Sequence, residues 1–167
     1  MADIIGPDLK ILFCGINPSL YSVAVGHHFA RPGNRFWKAL HGAGFTPRVY
    51  SPAEDQDLLT LGYGVINVAS RATARADELS KAELLIGHQQ LIDKVQTYRP
   101  ACLAVLGISA YRVAFEQPKA KIGEQNRDWH GARVWALPNP SGLNAHYQVA
   151  DLAKVYKELR LAVEDSP

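Results

Sequence analysis

Lys10-Ile11-Leu12-Phe13-Cys14-Gly15-Ile16-Asn17-Pro18-Ser19 decides the fold. Residues 10–14 carry an apolar run of strand length, and the polar, Gly/Pro-shaped stretch behind it reads as a loop leaving the strand's carboxyl end. A second stretch has the same form. Val134-Trp135-Ala136-Leu137 is apolar, and Asn139-Pro140-Ser141-Gly142-Leu143 follows it directly. In open α/β sheets ligands bind at the carboxyl edge of the strands. Two such loops on one edge can build one site between them.

Outward from these loops, strand and helix signals alternate. A helix is expected over residues 34–43, with Phe36, Trp37 and Leu40 on one face and Gly44 closing it. Ser51-Pro52-Ala53-Glu54 opens another, with proline in its first turn and glutamate completing a capping box. Residues 64–68 form the second strand. Ser80-Lys81-Ala82-Glu83 is a second capping box, heading a long helix with Leu84, His88, Leu91, Val95 and Tyr98 at helical spacing, ended by Pro100. Residues 101–106 form the third strand and 109–115 a short helix. Residues 119–129 are polar and read as a loop, 133–137 as the fourth strand, and 149–163 as the closing helix. Strands separated by helices imply an α/β fold, a three-layer α/β/α sandwich with a mostly parallel central sheet. The 167 residues suit one domain spanning 1–167.

Composition narrows the function class. Lys and Arg number 18 against 16 Asp and Glu, a net charge of +2. That permits a nucleic-acid partner, but contact with DNA has to rest on a local basic patch. Cys14 and Cys102 both fall in strands, and their arrangement offers neither a disulfide framework nor a zinc spacing. His27 and His28 have no partnering Cys/His/Asp spacing, so no metal is expected. No P-loop or Gly-x-Gly-x-x-Gly follows the first strand, which argues against a nucleotide hydrolase in the same cleft. The start of the chain lacks a signal-peptide pattern and no apolar run is long enough for a membrane, so a cytoplasmic, reducing location with access to the nucleoid is expected.

The ordered set of motifs resembles the uracil-DNA glycosylase superfamily, and within it the mismatch-specific uracil-DNA and thymine-DNA glycosylase branch. The resemblance rests on Gly15-Ile16-Asn17-Pro18 and on Phe29-Ala30-Arg31-Pro32-Gly33-Asn34-Arg35-Phe36-Trp37. It continues through Tyr98-Arg99-Pro100, Val105-Leu106-Gly107 and the Asn139 loop. It covers nearly the whole chain in order. It implies a monofunctional DNA glycosylase that flips uracil out of double-stranded DNA, notably from G:U mismatches, and it leaves open whether other damaged pyrimidines are substrates as well. The glycosidic bond is hydrolysed to leave an abasic site. No cofactor is implied, and the enzyme is expected to act as a monomer.

The resemblance also implies roles. Asn17 positions the water. Its amide has no useful pKa and cannot serve as a general base, but it offers a carbonyl to orient water and an NH2 to donate. Turnover is then slow compared with relatives carrying aspartate there. Ser22 helps hold the water, or is a loop serine. Ile16, Ser19, Phe29 and Asn67 surround the base. Phe29 stacks on it, and Asn67 faces the base or sugar, or caps its strand. Ser19 departs from the family's glycine and adds bulk beside the base's C5, where thymine carries a methyl. Asn139, Pro140, Ser141, Gly142, Leu143 and Asn144 form a loop that enters the DNA stack. There Leu143 is the apolar wedge, Gly142 permits close backbone approach and Ser141 or backbone amides hold phosphate. Bacterial relatives usually continue Ser-Arg, with the arginine filling the vacated space and touching the opposite guanine. This chain reads Asn144-Ala145-His146. Arg31, Arg35, Arg71 and Arg75 lie near these loops as candidate phosphate contacts or solvated charges. The rival reading is a non-catalytic lesion-binding protein on the same fold.

Overall fold

The computed structural model describes residues 1–164. Its elements are β1 (Ile11–Gly15), α1 (Leu20–Val25), α2 (Phe36–Gly42), β2 (Tyr63–Asn67), α3 (Lys81–Tyr98), β3 (Cys102–Leu106), α4 (Ile108–Ala114), β4 (Gly123–Trp129), β5 (Ala132–Leu137) and α5 (Val149–Glu164). The five strands form one sheet in the order β2-β1-β3-β5-β4. The β1–β2, β1–β3 and β3–β5 pairs are parallel, and only β4 runs antiparallel.

Side-chain alternation splits the core into two layers, one on each face of the sheet. Ile11, Phe13, Cys102, Ala104, Leu106, Trp135 and Leu137 face α2 and α5, where Phe36, Leu40, Leu152 and Tyr156 are buried. Leu12, Cys14, Leu103, Val105, Val134 and Ala136 face α3 and α4, packing on Leu84, Leu91 and Tyr111. The expected mostly parallel sheet with helices on both faces is what the chain forms. Cys14 and Cys102 end on opposite faces, both buried. Burial pushes the Cys102 thiol up to about 12 and Cys14 higher still, so both stay protonated. Among the described residues no helix is long and apolar enough to cross a membrane.

Three local readings change. Residues 119–129 are not simply a loop, because Gly123–Trp129 is the edge strand β4. It alternates weakly and is half-exposed, with two register shifts against β5. Charged residues suit an unpaired edge, and Glu124 ties the strand to β5 through Arg133 at 2.8 and 3.0 Å. Pro52–Leu61 is a 3-10 helix. Its inward residues Asp55 and Leu58 are three apart, matching a three-residue turn. Leu20–Val25, a six-residue helix with no polar stripe, had no periodic signal. Its caps define it, Ser19 accepting from the Ser22 N–H and Gly26 ending it in left-handed backbone.

The chain leaves β1 toward the α2 layer and leaves β3 toward the α4 layer. A crevice therefore opens at the carboxyl edge between β1 and β3, where the connections part.

Candidate functional site

An open cleft of about 880 Å3 occupies this edge, within the range of ligand sites. Ile16, Asn17, Ser19 and Ser22 line it from the first loop, Phe29 from the segment before α2, and Asn67 from the end of β2. Asn139, Pro140, Ser141, Leu143 and Asn144 line it from the last loop. Of the twelve residues expected at the site, Gly142 alone does not line the cleft.

The backbone explains why these segments meet. Past the ends of β1 and β2 the two chains keep pairing: Val68 N–H donates to Gly15 O, Ala69 N–H to Ile16 O, and Thr73 N–H to Pro18 O at 3.3 Å. Residues 68–73 thus form a second wall behind Asn17. Asn17 Nδ2 donates to Arg71 O at 2.8 Å and to Thr73 Oγ1 at 2.7 Å. Thr73, 4% exposed, passes its own proton to Arg75 O at 2.6 Å. Its hydroxyl can therefore only accept from Asn17. A carbonyl and a committed hydroxyl leave room for the NH2 group alone, which sets the amide's orientation. Both amide protons are spent, contrary to the expectation that the NH2 would be available to a ligand. The Oδ1 carbonyl makes no hydrogen bond among the described residues. Nothing in the sequence singled out Thr73, and Arg71 was read there for its charge rather than its carbonyl; both come into place through backbone pairing, 54 residues on for Arg71 and 56 for Thr73.

Gly15 is another cleft residue that the sequence reading left outside the site list. It pairs in register with Asn67. A Cβ on Gly15 would come within 2.6 Å of Asn67 Oδ1 and 3.4 Å of the Phe29 ring. Only glycine lets the Asn67 amide and the Phe29 ring converge there. Asn67 makes no side-chain hydrogen bond among the described residues, so it does not act as a strand cap. Ile16 packs with its Cδ1 against Gly107, at the end of β3.

Phe29 is held in left-handed backbone at φ 53°, a conformation costing a phenylalanine on the order of 1–3 kcal/mol. Its surroundings over-determine it. Phe36 stacks on the ring at 4.0 Å. Ala30 N–H donates to Ser22 Oγ at 3.1 Å, and His28 N–H to the buried Asp55 at 3.0 Å. Trp37 Nε1 donates to His28 O at 3.2 Å. Ser22 is a buried pin in this network and also accepts from Ser19 Oγ at 3.0 Å. His28 is buried with Nε2 on Ala2 O, and burial lowers its pKa. Among the described residues no group of three His, Cys, Asp or Glu could hold a metal ion.

The last loop is tightly self-bonded. Asn139 Oδ1 accepts from Ser141 N–H at 2.9 Å, and Ser141 Oγ from Leu143 N–H at 3.2 Å. Asn144 Nδ2 donates to Asn139 O, and Asn144 Oδ1 accepts from His146 N–H. These side chains shape the turn and project Leu143, 59% exposed, at its tip. The Gly142 backbone approaches Gly33 O, which a Cβ would meet at 2.8 Å. Close approach is thus needed within the protein itself. The arginines separate likewise. Arg35 is committed to the loop's carbonyls. Arg71 pairs with Glu83, Arg75 with Asp77, and Arg31 donates to Ala74 O. The Arg71 and Arg75 side chains are exposed, and surface pairs of this kind are weak and screened by salt.

Comparisons with known proteins bear on the fold and the family. A solution NMR structure of a Methanosarcina acetivorans protein, provisionally classed as a uracil DNA glycosylase, superposes with a TM-score of 0.56 at 19% identity, covering 96% of each chain. At that identity the likeness speaks for the fold. The sequence profile of the uracil DNA glycosylase superfamily matches residues 2–160, nearly the full length that builds the cleft. By that match the chain belongs to the uracil DNA glycosylase superfamily.

Proposed function

We propose that this protein excises uracil from duplex DNA, notably uracil opposite guanine, as a monomeric, monofunctional glycosylase. Superfamily membership supports a uracil DNA glycosylase-type hydrolase acting on DNA; the substrate preference, base flipping and residue roles are our own reading. In it the uracil enters the cleft with Phe29 against its face and Phe36 behind Phe29. The Asn67 amide offers one donor and one acceptor, the complement of uracil's imide edge. The C1′–N1 bond breaks with its electron pair leaving on the base, and positive charge develops on the sugar. A water hydrogen-bonded to Asn17 Oδ1 adds at C1′, its proton goes to solvent, and an abasic site remains. Asn67 stabilises the departing anion by donating a hydrogen bond.

The observation that carries the reading is the pinned Asn17 amide. With its NH2 spent on Arg71 O and Thr73 Oγ1, a carbonyl oxygen is what Asn17 has left to present to a water. The only carboxylate lining the cleft among the described residues is Asp77, which is exposed and paired with Arg75.

Asn17→Ala is expected to slow single-turnover uracil release by about 10²-fold or more, the scale of a lost electrostatic group. Binding to a duplex carrying uncleavable 2′-fluoro-deoxyuridine should change little. A near-normal rate in Asn17→Ala would end the water-positioning role. Release from U·G duplexes should exceed that from U·A and T·G duplexes. A wild-type protein that binds these duplexes but releases no base would favour the non-catalytic reading.

A further inference from the structure

Arg35 Nε donates to Pro140 O at 3.3 Å, Nη2 to Ser141 O at 2.6 Å and Asn144 O at 3.1 Å, and Nη1 to Tyr147 O. The Arg35 backbone N–H also donates to Pro140 O at 3.0 Å. One guanidinium thus holds four carbonyls of a loop more than a hundred residues away. The next residue, Phe36, stacks under Phe29 and heads α2. Two adjacent residues therefore touch both halves of the cleft, one the aromatic platform and the other the loop that carries Leu143. Nearby, the Gly142 backbone rests on Gly33 O. At the far end Tyr156 Oη donates to Pro138 O at 3.2 Å. The loop's own bonds shape the turn, but they do not set its position relative to the platform.

We infer that Arg35 is a positioning residue for duplex opening: it fixes how far Leu143 stands from the Phe29 platform, so that wedge insertion and base capture are geometrically coupled. This rests on the reading of Leu143 as the wedge and of Phe29 as the base platform. A planar fork with several fixed donors suits the role, because it can satisfy divergent carbonyls at once. Arg35→Lys supplies a compact ammonium that reaches fewer of them. Arg35→Met keeps the apolar stem and removes every donor. A displacement of about 1 Å at a reacting site can cost 10²-fold, but the loop matters only where a helix has to be opened.

The test compares wild type, Arg35→Met, Arg35→Lys and Leu143→Ala. Single-turnover uracil release is measured from a U·G duplex and from the same uracil in a single strand. Base opening is followed by 2-aminopurine fluorescence beside 2′-fluoro-deoxyuridine in duplex. Arg35→Met is expected to lower the duplex-to-single-strand ratio by about 10-fold or more and to weaken the fluorescence rise, with Arg35→Lys intermediate. Combined with Leu143→Ala it should add little, since both act on one step. Equal losses on both substrates with an unchanged fluorescence rise would show that Arg35 merely stabilises the fold, and would overturn the inference. If Leu143→Ala lowers the ratio and Arg35→Met does not, the inference falls and the wedge reading stands. If Leu143→Ala leaves the ratio and the fluorescence unchanged, the wedge reading itself falls, and the inference with it.

Discussion

Asn17 acquires its orientation from partners that no local pattern connects to it. The Asn-Pro turn marks a loop, and the motif order marks a family, but the amide's direction is set by Arg71 O and Thr73 Oγ1. Ser19 shows the same division. As a sequence feature it is a departure from the glycine of the resembled family, at a position the resemblance would put beside the base's C5. In the structure its hydroxyl caps α1, accepting from Ser22 N–H at 3.0 Å and donating to Ser22 Oγ at 3.0 Å, while the residue lines the cleft. Replacing an N-cap serine by glycine costs only a few tenths of a kcal/mol, so Ser19→Gly separates pocket shape from stability. Thymine release relative to uracil is expected to rise. A methyl-sized clash of roughly 1–3 kcal/mol allows a change of up to tens of fold. An unchanged ratio in a competition assay on T·G and U·G duplexes would show that Ser19 does not contact C5.

At the scale of elements, strongly patterned segments were legible and weakly patterned ones were not. The capping box at Ser80 and Glu83 forms as read, with reciprocal bonds of 3.1 and 3.2 Å heading α3. The edge strand β4 escaped because its polarity suits an edge, where tertiary pairing overrides composition. The last loop was legible as a loop, but its side chains turned out to bond to one another and to Arg35. Ala145 is exposed on it, so a longer side chain has room. Ala145→Arg is expected to tighten binding to an abasic product duplex and to lower multiple-turnover release, by slowing product departure. Unchanged product affinity would place position 145 away from the DNA.

Across the whole molecule, the segment that carries Phe29 is clamped to the core through Asp55, Trp37 and His28. His28 is 4% exposed and is held neutral by burial, with Nε2 on Ala2 O at 2.8 Å. Its folded pKa lies below the unfolded value of about 6.5, so the unfolded chain takes up the proton more readily. The stability this neutral histidine contributes is complete above that value and is lost as pH falls below it toward the folded pKa. Wild type should therefore lose thermal stability on going from about pH 7 to about pH 5 more steeply than His28→Gln, which cannot titrate. Parallel pH slopes of Tm for the two proteins would exclude His28 as the source. The sequence by itself determined the α/β layering, because continuously apolar strands separated by helices admit few arrangements that bury both faces of the sheet. It also determined that the Gly15 and Asn139 loops share one sheet edge, because parallel strands bring their carboxyl ends together. Only the tertiary structure decided that Thr73 orients Asn17, that Gly15 admits Asn67 and Phe29 together, and that Arg35 binds the far loop rather than phosphate. Those contacts join residues far apart in the chain, and hydrogen-bond direction is a property of the assembled partners that residue identity alone does not encode.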